Sequence, residues 1–303
     1  MGMGTKEEDF VEKLFVASTH QYILIFSSFG KVYWLKVYQI PQAGRAAKGK
    51  AIVNLISLTQ GERVAAILPV KEFTAERNVV MVTRQGVIKK TNLAAFARPR
   101  STGIIAIGID SGDELMDVQL TLGNQDIFLG TRMGMAIRFH EEDVREMGRG
   151  ARGVRGIMLA PEDTVVGMEI PSEGSGMATI TEKGYGKRTT VSEYRLQTRG
   201  GKGTINLRTA PRVGNVTGIC QVTGDEDLML ISDAGKIIRV RVEEVSLIHR
   251  STQGVRLIDL DENERLVGIA RVEREEEIEE ILESGAEETD DSPQETDLFD
   301  EEP

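Results

Sequence analysis

The sequence of 303 residues has one cysteine, few aromatic residues and no long apolar run. The lack of cysteine and the lack of a long apolar run each exclude a class of protein. One cysteine, Cys220, excludes a disulfide framework and suits a reducing compartment, and its apolar neighbours predict a buried side chain. No apolar run approaches the roughly 18–20 residues that span a bilayer, and the start MGMGTKEEDF does not resemble a signal peptide. We therefore expect a soluble, cytoplasmic protein that is not associated with a membrane.

A catalytic constellation is also missing. His20, His140 and His249 are scattered, without metal-ligand spacing and without cysteine partners, and nothing pairs a serine and an aspartate with them. GRGARG (148–153) fits G-x-G-x-x-G, but the repeat described below places a strand after it instead of a helix. GGKGT (200–204) lacks the upstream glycine and the Lys-Ser/Thr step of a P-loop. We predict no catalytic residue, no metal site and no cofactor within this chain.

Charge divides the chain into two regions. The whole sequence carries 37 Lys or Arg against 48 Asp or Glu, a net charge of −11. Residues 273–303 alone hold 16 Asp or Glu and one Arg, so residues 1–272 are mildly basic, with 36 Lys or Arg against 32 acids. A segment this polar buries too little apolar surface to fold. We predict a folded domain over 1–272 and an acidic, largely disordered tail over 273–303.

The folded region repeats a unit of about fifty residues five times. Each unit has an apolar strand, a glycine turn, and a second strand rich in basic and β-branched residues. Glycine between two such runs predicts a hairpin, because glycine adopts positive φ at little cost. The hairpins are predicted at 22–37, 78–91, 126–139, 177–191 and 227–240. We predict that the turn glycines are Gly30, Gly86, Gly134, Gly186 and Gly235.

A loop that ends in glycine follows each hairpin and precedes a further strand. The loops are QAGRAAKG (42–49), RPRSTG (98–103), MGRGARG (147–153), QTRGGKG (197–203) and HRSTQG (249–254). A turn, mostly acidic, and a last strand close each unit, as in GERVAAILPV (61–70). Four short strands per repeat predict a propeller-like blade. DFVEKLFVAST (9–19) fits the last strand of one more, incomplete unit, so we predict an all-β, six-bladed array with five full blades and a partial one visible.

Positive charge is concentrated in the same loop of every unit. The windows 42–50, 98–103, 145–156, 195–203 and 249–256 hold 14 Lys or Arg and one acid, Glu146. Equivalent loops of a ring lie along one rim, which predicts a curved basic track that binds duplex DNA and bends or wraps it with little base readout. The candidate phosphate contacts in the loops and hairpins are Arg45, Lys48, Lys50, Lys89, Lys90, Arg98, Arg100, Arg138, Arg149, Arg152, Lys187, Arg188, Arg199, Lys202 and Arg250.

Several segments resemble the C-terminal domain of the bacterial DNA gyrase A protein over essentially the whole body of the chain. They include EEDFVEKLFVASTH (7–20), KVYWLKVYQIP (31–41), GYGKRT (184–189) and STQGVRLI (251–258). The resemblance implies a six-bladed β-pinwheel whose blades exchange strands and whose basic rim wraps DNA, in support of ATP-dependent negative supercoiling. It implies as partners the N-terminal part of gyrase A and the gyrase B protein in an A2B2 holoenzyme near the nucleoid. The cleavage tyrosine, ATP and Mg²⁺ belong to the rest of that enzyme.

The family's hallmark is a Q-R-R-G-G-K-G box that is required for wrapping. Residues 197–203 are similar to it, with the sequence Gln197, Thr198, Arg199, Gly200, Gly201, Lys202 and Gly203. Thr198 replaces the first arginine of the box. In the family this box belongs to the first blade, whereas the copy here lies in the fourth visible unit. We therefore expect the hairpin and box of the first blade to precede residue 1.

Two alternatives remain open from the sequence. The C-terminal domain of the A protein of topoisomerase IV is a relative that usually has fewer blades and a degenerate box. A propeller that serves as a scaffold for protein partners predicts binding that is insensitive to salt and no affinity for DNA. A further hypothesis concerns residues 273–303, whose net charge of −15 lets them compete with DNA for the basic rim.

Overall fold

The structure is a computed structural model that describes residues 17–41, 54–98, 100 and 102–273. Three features predicted above fall wholly or mostly outside these ranges: the partial sixth blade at 9–19, the loop at 42–50 with its three cations, and the acidic tail. None of the helices in the described ranges is long and apolar enough to cross a membrane.

Short strands make up most of the described chain. The strands are β1 (Tyr22–Ser27), β2 (Lys31–Lys36), β3 (Val64–Val70), β4 (Asn78–Thr83), β5 (Val87–Asn92), β6 (Ile104–Ile105), β7 (Leu115–Thr121), β8 (Asp126–Thr131), β9 (Met135–His140), β10 (Val154–Arg155), β11 (Val165–Glu169), β12 (Gly176–Thr181), β13 (Tyr185–Thr190), β14 (Thr204–Ile205), β15 (Val216–Val222), β16 (Glu226–Ser232), β17 (Ile237–Arg241), β18 (Val255–Arg256) and β19 (Leu266–Glu273). One 3-10 turn follows each hairpin, at Val37–Gln39, Leu93–Phe96, Glu141–Asp143, Val191–Glu193 and Val242–Glu244.

Five antiparallel sheets form a ring of propeller blades, which confirms the predicted all-β blade architecture. The sheet orders are β3-β1-β2-β6, β7-β4-β5-β10, β11-β8-β9-β14, β15-β12-β13-β18 and β19-β16-β17. In the first four sheets the fourth strand comes from the next repeat, as in the pairing of Thr204 with Ala136. This exchange is the strand swapping that the resemblance implied. Among the described residues, β17 has no fourth strand beside it.

The order of strands within a blade defines an inner and an outer side. The innermost strands β3, β7, β11, β15 and β19 line a central channel. The two-residue strands β6, β10, β14 and β18 are outermost and lie on the circumference. Each of them comes directly after one of the predicted basic loops, so the topology places these loops on the outer edge of the ring.

The cores lie between neighbouring blades. On β1, Leu24 and Phe26 point to one face and pack with Val79 and Met81 of the next blade, and all four side chains are completely or almost completely buried. Successive side chains of a strand face opposite sides, and both faces of an internal blade are covered. Hairpin strands therefore appear in the sequence as continuous apolar runs, such as Val79–Val82, and not as an alternation of apolar and polar residues.

Each hairpin turn is fixed by a hydroxyl and a glycine three residues apart. In the second unit, Thr83 Oγ1 accepts the N–H of Val87 at 3.2 Å, and the N–H of Gly86 donates to the Thr83 carbonyl at 2.9 Å. The turn glycine has a φ of +80°, which favours glycine. The same pattern recurs at Ser27 and Gly30, Thr131 and Gly134, Thr181 and Gly184, and Ser232 and Gly235.

The fourth turn differs from the sequence prediction. Gly184, with a φ of +78°, is the turn glycine, and its N–H donates to the Thr181 carbonyl at 3.1 Å. Gly186, which was predicted for this role, lies inside β13 and packs against the neighbouring strand. A Cβ on Gly186 would lie 2.5 Å from Leu257 Cδ1. Gly186 therefore lies in a closely packed part of β13 and not in the turn.

Candidate nucleic-acid interface

The rim consists of the loops that precede the outermost strands, here called the rim loops: 98–103, 145–153, 195–203 and 249–254. Each rim loop runs along the outer strand of the preceding blade. In the third blade, for example, the N–H of Gln197 donates to the carbonyl of Arg138 at 3.0 Å, and Thr204 then pairs with Ala136. The rim loops therefore lie on the circumference and not on the flat faces of the ring.

Backbone hydrogen bonds join the segment that follows each rim loop to the next rim loop at a constant spacing. The N–H of Gly108 donates to Ala151 O at 3.0 Å, that of Met158 to Gly201 O at 2.9 Å, and that of Arg208 to Thr252 O at 2.8 Å. Each donor lies five residues after the last glycine of its own loop, and each acceptor lies two residues before the last glycine of the next loop. The described rim loops thus form one continuous track.

The last glycine of each rim loop allows the chain to turn against the backbone of the preceding blade. Gly153, Gly203 and Gly254 have φ values of +104°, +72° and +77°. A Cβ at these positions would lie 2.5, 2.2 and 2.6 Å from a backbone carbonyl oxygen of the preceding hairpin. The glycine at the end of these three loops is therefore required by the fold, whether or not a ligand is bound. At Gly103 a Cβ would instead lie 2.8 Å from the Tyr33 ring.

The arginine four residues before the last glycine links neighbouring blades. The Nη1 atom of Arg199 donates to Arg155 O at 3.0 Å, and its Nε atom donates to Asp143 O at 2.8 Å. The Nη1 atom of Arg250 donates to Ile205 O at 3.1 Å in the equivalent place of the next loop. Arg199 and Arg250 are half-buried, so each of these two guanidinium groups joins two repeats and still has an exposed part. Arg149, at the equivalent position, is half-buried as well.

Four of the predicted contacts in the described rim loops are exposed cations: Arg98, Arg100, Arg152 and Lys202. Arg152 forms a salt bridge with Asp110 and keeps 68 % of its side chain exposed. No salt bridge joins Lys202 to a described residue. These side chains extend from the circumference, where a bound polyanion would reach them. Arg45, Lys48 and Lys50 lie outside the described residues.

Lys90, Arg138 and Arg188 occupy the same position in successive hairpins and bind the next repeat. Lys90 Nζ donates to Glu141 O at 2.8 Å, and Arg188 Nε donates to Val245 O at 2.8 Å. Arg138 Nε donates to Asp126 Oδ2 at 2.7 Å, and its Nη1 atom donates to the Val191 carbonyl of the next repeat at 3.2 Å. The structure therefore uses these three cations first to join blades, and their exposed area is small or partial.

Lys89 and Lys187 lie beneath the rim loops and not on their surface. Both side chains are completely buried. Lys89 Nζ donates to the carbonyls of Ala106 and Arg149, and Lys187 Nζ donates to those of His249 and Arg250. A phosphate does not reach these ammonium groups in this conformation. The direct phosphate contact expected from sequence is therefore replaced by contacts with loop carbonyls.

The box-like segment is built into the rim through its backbone. The N–H of Gly200 donates to Gly156 O at 2.6 Å, and Gly200 has a φ of +79°. Gly201 has open space around it, because a Cβ there would meet no atom closer than 3.6 Å. Thr198 and Lys202 are exposed. Gly201 therefore leaves room for close approach of a ligand to the backbone, at a position where neither conformation nor packing requires glycine.

Further exposed cations join the track without having been assigned as candidate sites: Arg145, Arg155, Arg195 and Arg208. Arg208 lies outside the predicted loop, but its Nε atom donates to Ser251 Oγ of the next rim loop at 3.0 Å. Its position five residues after a loop glycine is a signal available in the sequence. Among the described residues, no group of three or more His, Cys, Asp or Glu is placed to hold a metal ion.

Comparison with known proteins gives a consistent family. The family model described as "DNA gyrase C-terminal domain, beta-propeller" matches residues 21–71, 77–121, 125–172, 177–219 and 226–273, which coincide with the five repeats. The DNA gyrase A protein of Salmonella typhimurium is 49 % identical over 267 residues, covering 88 % of this chain and 30 % of that protein. Its Escherichia coli counterpart is 46 % identical over 299 residues, with 98 % and 34 % covered. The chain spans about a third of the length of these relatives.

Two solved structures share the fold. The C-terminal domain of DNA topoisomerase IV aligns with a TM-score of 0.79 at 26 % identity, covering 88 % of this chain and 84 % of that one. The DNA gyrase A C-terminal domain aligns with a TM-score of 0.74 at 24 % identity, covering 89 % and 92 %. The higher sequence identities belong to gyrase A proteins, so the topoisomerase IV alternative is not favoured. The chain belongs to the family of DNA gyrase A C-terminal domains.

Proposed function

We propose that the rim binds duplex DNA through its phosphates and bends or wraps it around the circumference of the ring. The observation that carries this proposal is the continuous track of rim loops. It is joined by backbone hydrogen bonds at a constant spacing and is rich in cations and glycine. One acid, Glu146, falls in the sequence windows that contain these loops. Phosphate binding uses such cations and exposed N–H groups and needs no base-specific contact.

The curved track favours a bent duplex over a straight one. Bending 20–30 bp by 40–90° costs on the order of 1–6 kcal/mol. Cations distributed around the circumference offset that cost, since each phosphate that they neutralise releases condensed counterions. A straight duplex would touch one or two rim loops, whereas a bent duplex follows several.

The chain would act as the C-terminal module of the DNA gyrase A protein. This part of the proposal is supported by relatives that carry the gyrase A name, of which the chain matches 30–34 %. Catalysis, ATP and Mg²⁺ would belong to the N-terminal part of gyrase A and to the gyrase B protein in an A2B2 holoenzyme. That enzyme would be cytoplasmic and associated with the nucleoid. The bent DNA would then support ATP-dependent negative supercoiling.

A binding experiment tests the rim directly. Fluorescence anisotropy with a labelled 40-bp duplex is measured at several salt concentrations for the parent chain, for Lys202→Ala and for Lys71→Ala. Lys202 is exposed on the circumference, while Lys71 is exposed directly after β3, the innermost strand. Both variants lose one positive charge, so they differ in the position of the lost charge and not in its size.

We expect Lys202→Ala to weaken binding and to reduce the slope of log K against log salt by about 0.9, the loss of one phosphate contact. Lys71→Ala should keep the slope of the parent. Equal effects of the two substitutions would contradict a rim-specific site. A parent chain that does not bind DNA at low salt would favour the protein-scaffold alternative.

A further inference from the structure

Lys89 and Lys187 occupy the same position in two hairpins, three residues after the turn glycines Gly86 and Gly184. Burying an ammonium is costly unless it is hydrogen-bonded, and a lysine so buried requires an explanation. Both are 0 % exposed. Burial, followed by the nearby Arg149 guanidinium, lowers the pKa of Lys89 from 10.5 to about 8. The fold therefore keeps these two charges in an unfavourable place.

Each ammonium binds a carbonyl of one rim loop from below, and a second carbonyl completes its contacts. Lys89 Nζ contacts the Arg149 carbonyl in rim loop 145–153 and lies 2.6 Å from Ala106 O. Lys187 Nζ contacts the Arg250 carbonyl in rim loop 249–254 and lies 2.7 Å from His249 O. Arg149 and Arg250 are equivalent, since each lies four residues before the last glycine of its loop. The two copies thus share the contact with the arginine carbonyl and differ in their second acceptor, which is Ala106 O for Lys89 and His249 O for Lys187.

The contact sets the direction of the loop peptides. In a trans peptide the C=O and N–H groups point in opposite directions. With the Arg149 carbonyl turned inward to the ammonium, the N–H of Gly150 points away from it, and Arg250 and Ser251 have the same relation in the other loop. Carbonyl oxygens repel phosphate and N–H groups attract it. An inward carbonyl therefore removes a group that repels phosphate from the surface of the loop, and the N–H group that follows it faces outward as a hydrogen-bond donor.

The other blades show that the fold does not require lysine here. Ile137 occupies the equivalent position beneath rim loop 195–203, and Tyr33 does so beneath rim loop 98–103. Both are buried. An aliphatic side chain is therefore accommodated at this position, and the loop above Ile137 is held by Arg199 instead. The lysines serve two particular loops and not the hairpins in general.

We propose that Lys89 and Lys187 are positioning residues for DNA binding: each buried ammonium holds the carbonyl of Arg149 or Arg250 inward, so that the N–H group that follows it and the arginines of the loop face the DNA. The inference rests on the proposed function of the rim. It assigns these lysines an indirect role, through rim loops 145–153 and 249–254, in place of a contact with phosphate.

Methionine substitutions test this role with a matched control. Lys89→Met and Lys187→Met remove the ammonium and keep a long, unbranched side chain. Ile137 at the equivalent position shows that the fold accepts an apolar side chain there. Lys90→Met is the control, because Lys90 is the adjacent residue, is only 8 % exposed, and its ammonium binds Glu141, whereas its contact with rim loop 145–153 is made by its backbone carbonyl and is kept in the variant. All three variants lose one charge. Anisotropy with a 40-bp duplex and urea unfolding are measured for each full-length variant.

We expect Lys89→Met and Lys187→Met each to weaken DNA binding by about tenfold, while Lys90→Met lowers stability and changes affinity by less than about threefold. A double-mutant cycle adds a readout that a purely structural role would not move. With Arg149 and Arg152 already replaced by alanine, Lys89→Met should weaken binding by less than about twofold, because the loop that it positions has then lost two of its three arginines and keeps only Arg145.

Two results would overturn the inference. One is an equal loss of affinity for Lys89→Met and Lys90→Met. The other is an undiminished effect of Lys89→Met in the Arg149→Ala, Arg152→Ala background, which would mean that the lysine acts as an independent charge. If the parent chain binds DNA and Lys89→Met binds equally well, this inference alone is wrong. If the parent chain does not bind DNA, the proposed function is wrong as well.

Discussion

Replacing Gly203 with alanine should destabilise the fourth unit of the ring. Gly203 has a φ of +72°, and the left-handed conformation costs an alanine about 1–2 kcal/mol. The new Cβ would also lie 2.2 Å from Ala136 O, more than 1 Å short of ordinary contact, with further backbone atoms at 2.8 and 3.3 Å. Backbone atoms cannot rotate away, so either the rim loop or β9 must shift. We expect a total loss of about 2–4 kcal/mol.

Gly201→Ala is the matched control two residues earlier. Its Cβ would meet no atom closer than 3.6 Å, and its backbone is not left-handed. A glycine replaced in a compatible conformation changes stability by less than about 1 kcal/mol, often favourably. Urea unfolding followed by circular dichroism gives the free energy of unfolding for both variants and the parent. Equal unfolding midpoints for Gly203→Ala and the parent would refute the steric argument.

Three further predictions follow from the rim, the buried lysines and the tail. Gly201→Ala should weaken binding of a 40-bp duplex by about threefold or more without loss of stability, because a methyl group then stands where phosphate approaches; unchanged affinity would contradict close approach there. Burial lowers the pKa values of Lys89 and Lys187 to about 8, below the value of 10.5 in the unfolded chain. Between pH 8 and 10.5 the unfolded chain therefore binds more protons, so the contribution of these lysines to the free energy of unfolding rises with pH. The difference in urea midpoint between the parent and the double methionine variant should increase over this range, and a decrease would contradict the burial. Removing residues 274–303 should tighten DNA binding at low salt in the same anisotropy assay, since this segment is strongly acidic, and unchanged affinity would count against competition by the tail.

Much of the fold was predictable because glycine and apolar runs mark the repeat. The misassigned fourth turn shows what decides between two close glycines. Gly184 and Gly186 both flank Tyr185, and the distance between repeats does not separate them. A serine or threonine three residues before the turn glycine does separate them, and Thr181 selects Gly184. This signal can be read from the sequence, because the hydroxyl accepts a backbone N–H within the same short turn.

The candidate site was predictable in its location but less so in the role of each cation. The loops lie on the circumference as expected, but Lys89 and Lys187, which were predicted from the hairpin sequences to contact phosphate, are completely buried. Lysine is seldom buried in this way. Their burial depends on strand exchange, which brings the next repeat's loop over the hairpin. The rim loop that covers each lysine lies sixty or more residues further along the chain, as Arg149 does from Lys89. No local sequence pattern therefore shows that the lysine is buried.

The central claim, that the rim imposes a path on DNA, is tested most directly by topology. The 303-residue chain is bound to nicked circular plasmid, the nick is sealed with ligase, the protein is removed, and the linking-number distribution is read on a gel. We expect a shift of the distribution that grows with the amount of protein and shrinks for Lys202→Ala but not for Lys71→Ala. A distribution that stays at the protein-free value, while anisotropy shows the DNA to be bound, would contradict bending or wrapping around the rim.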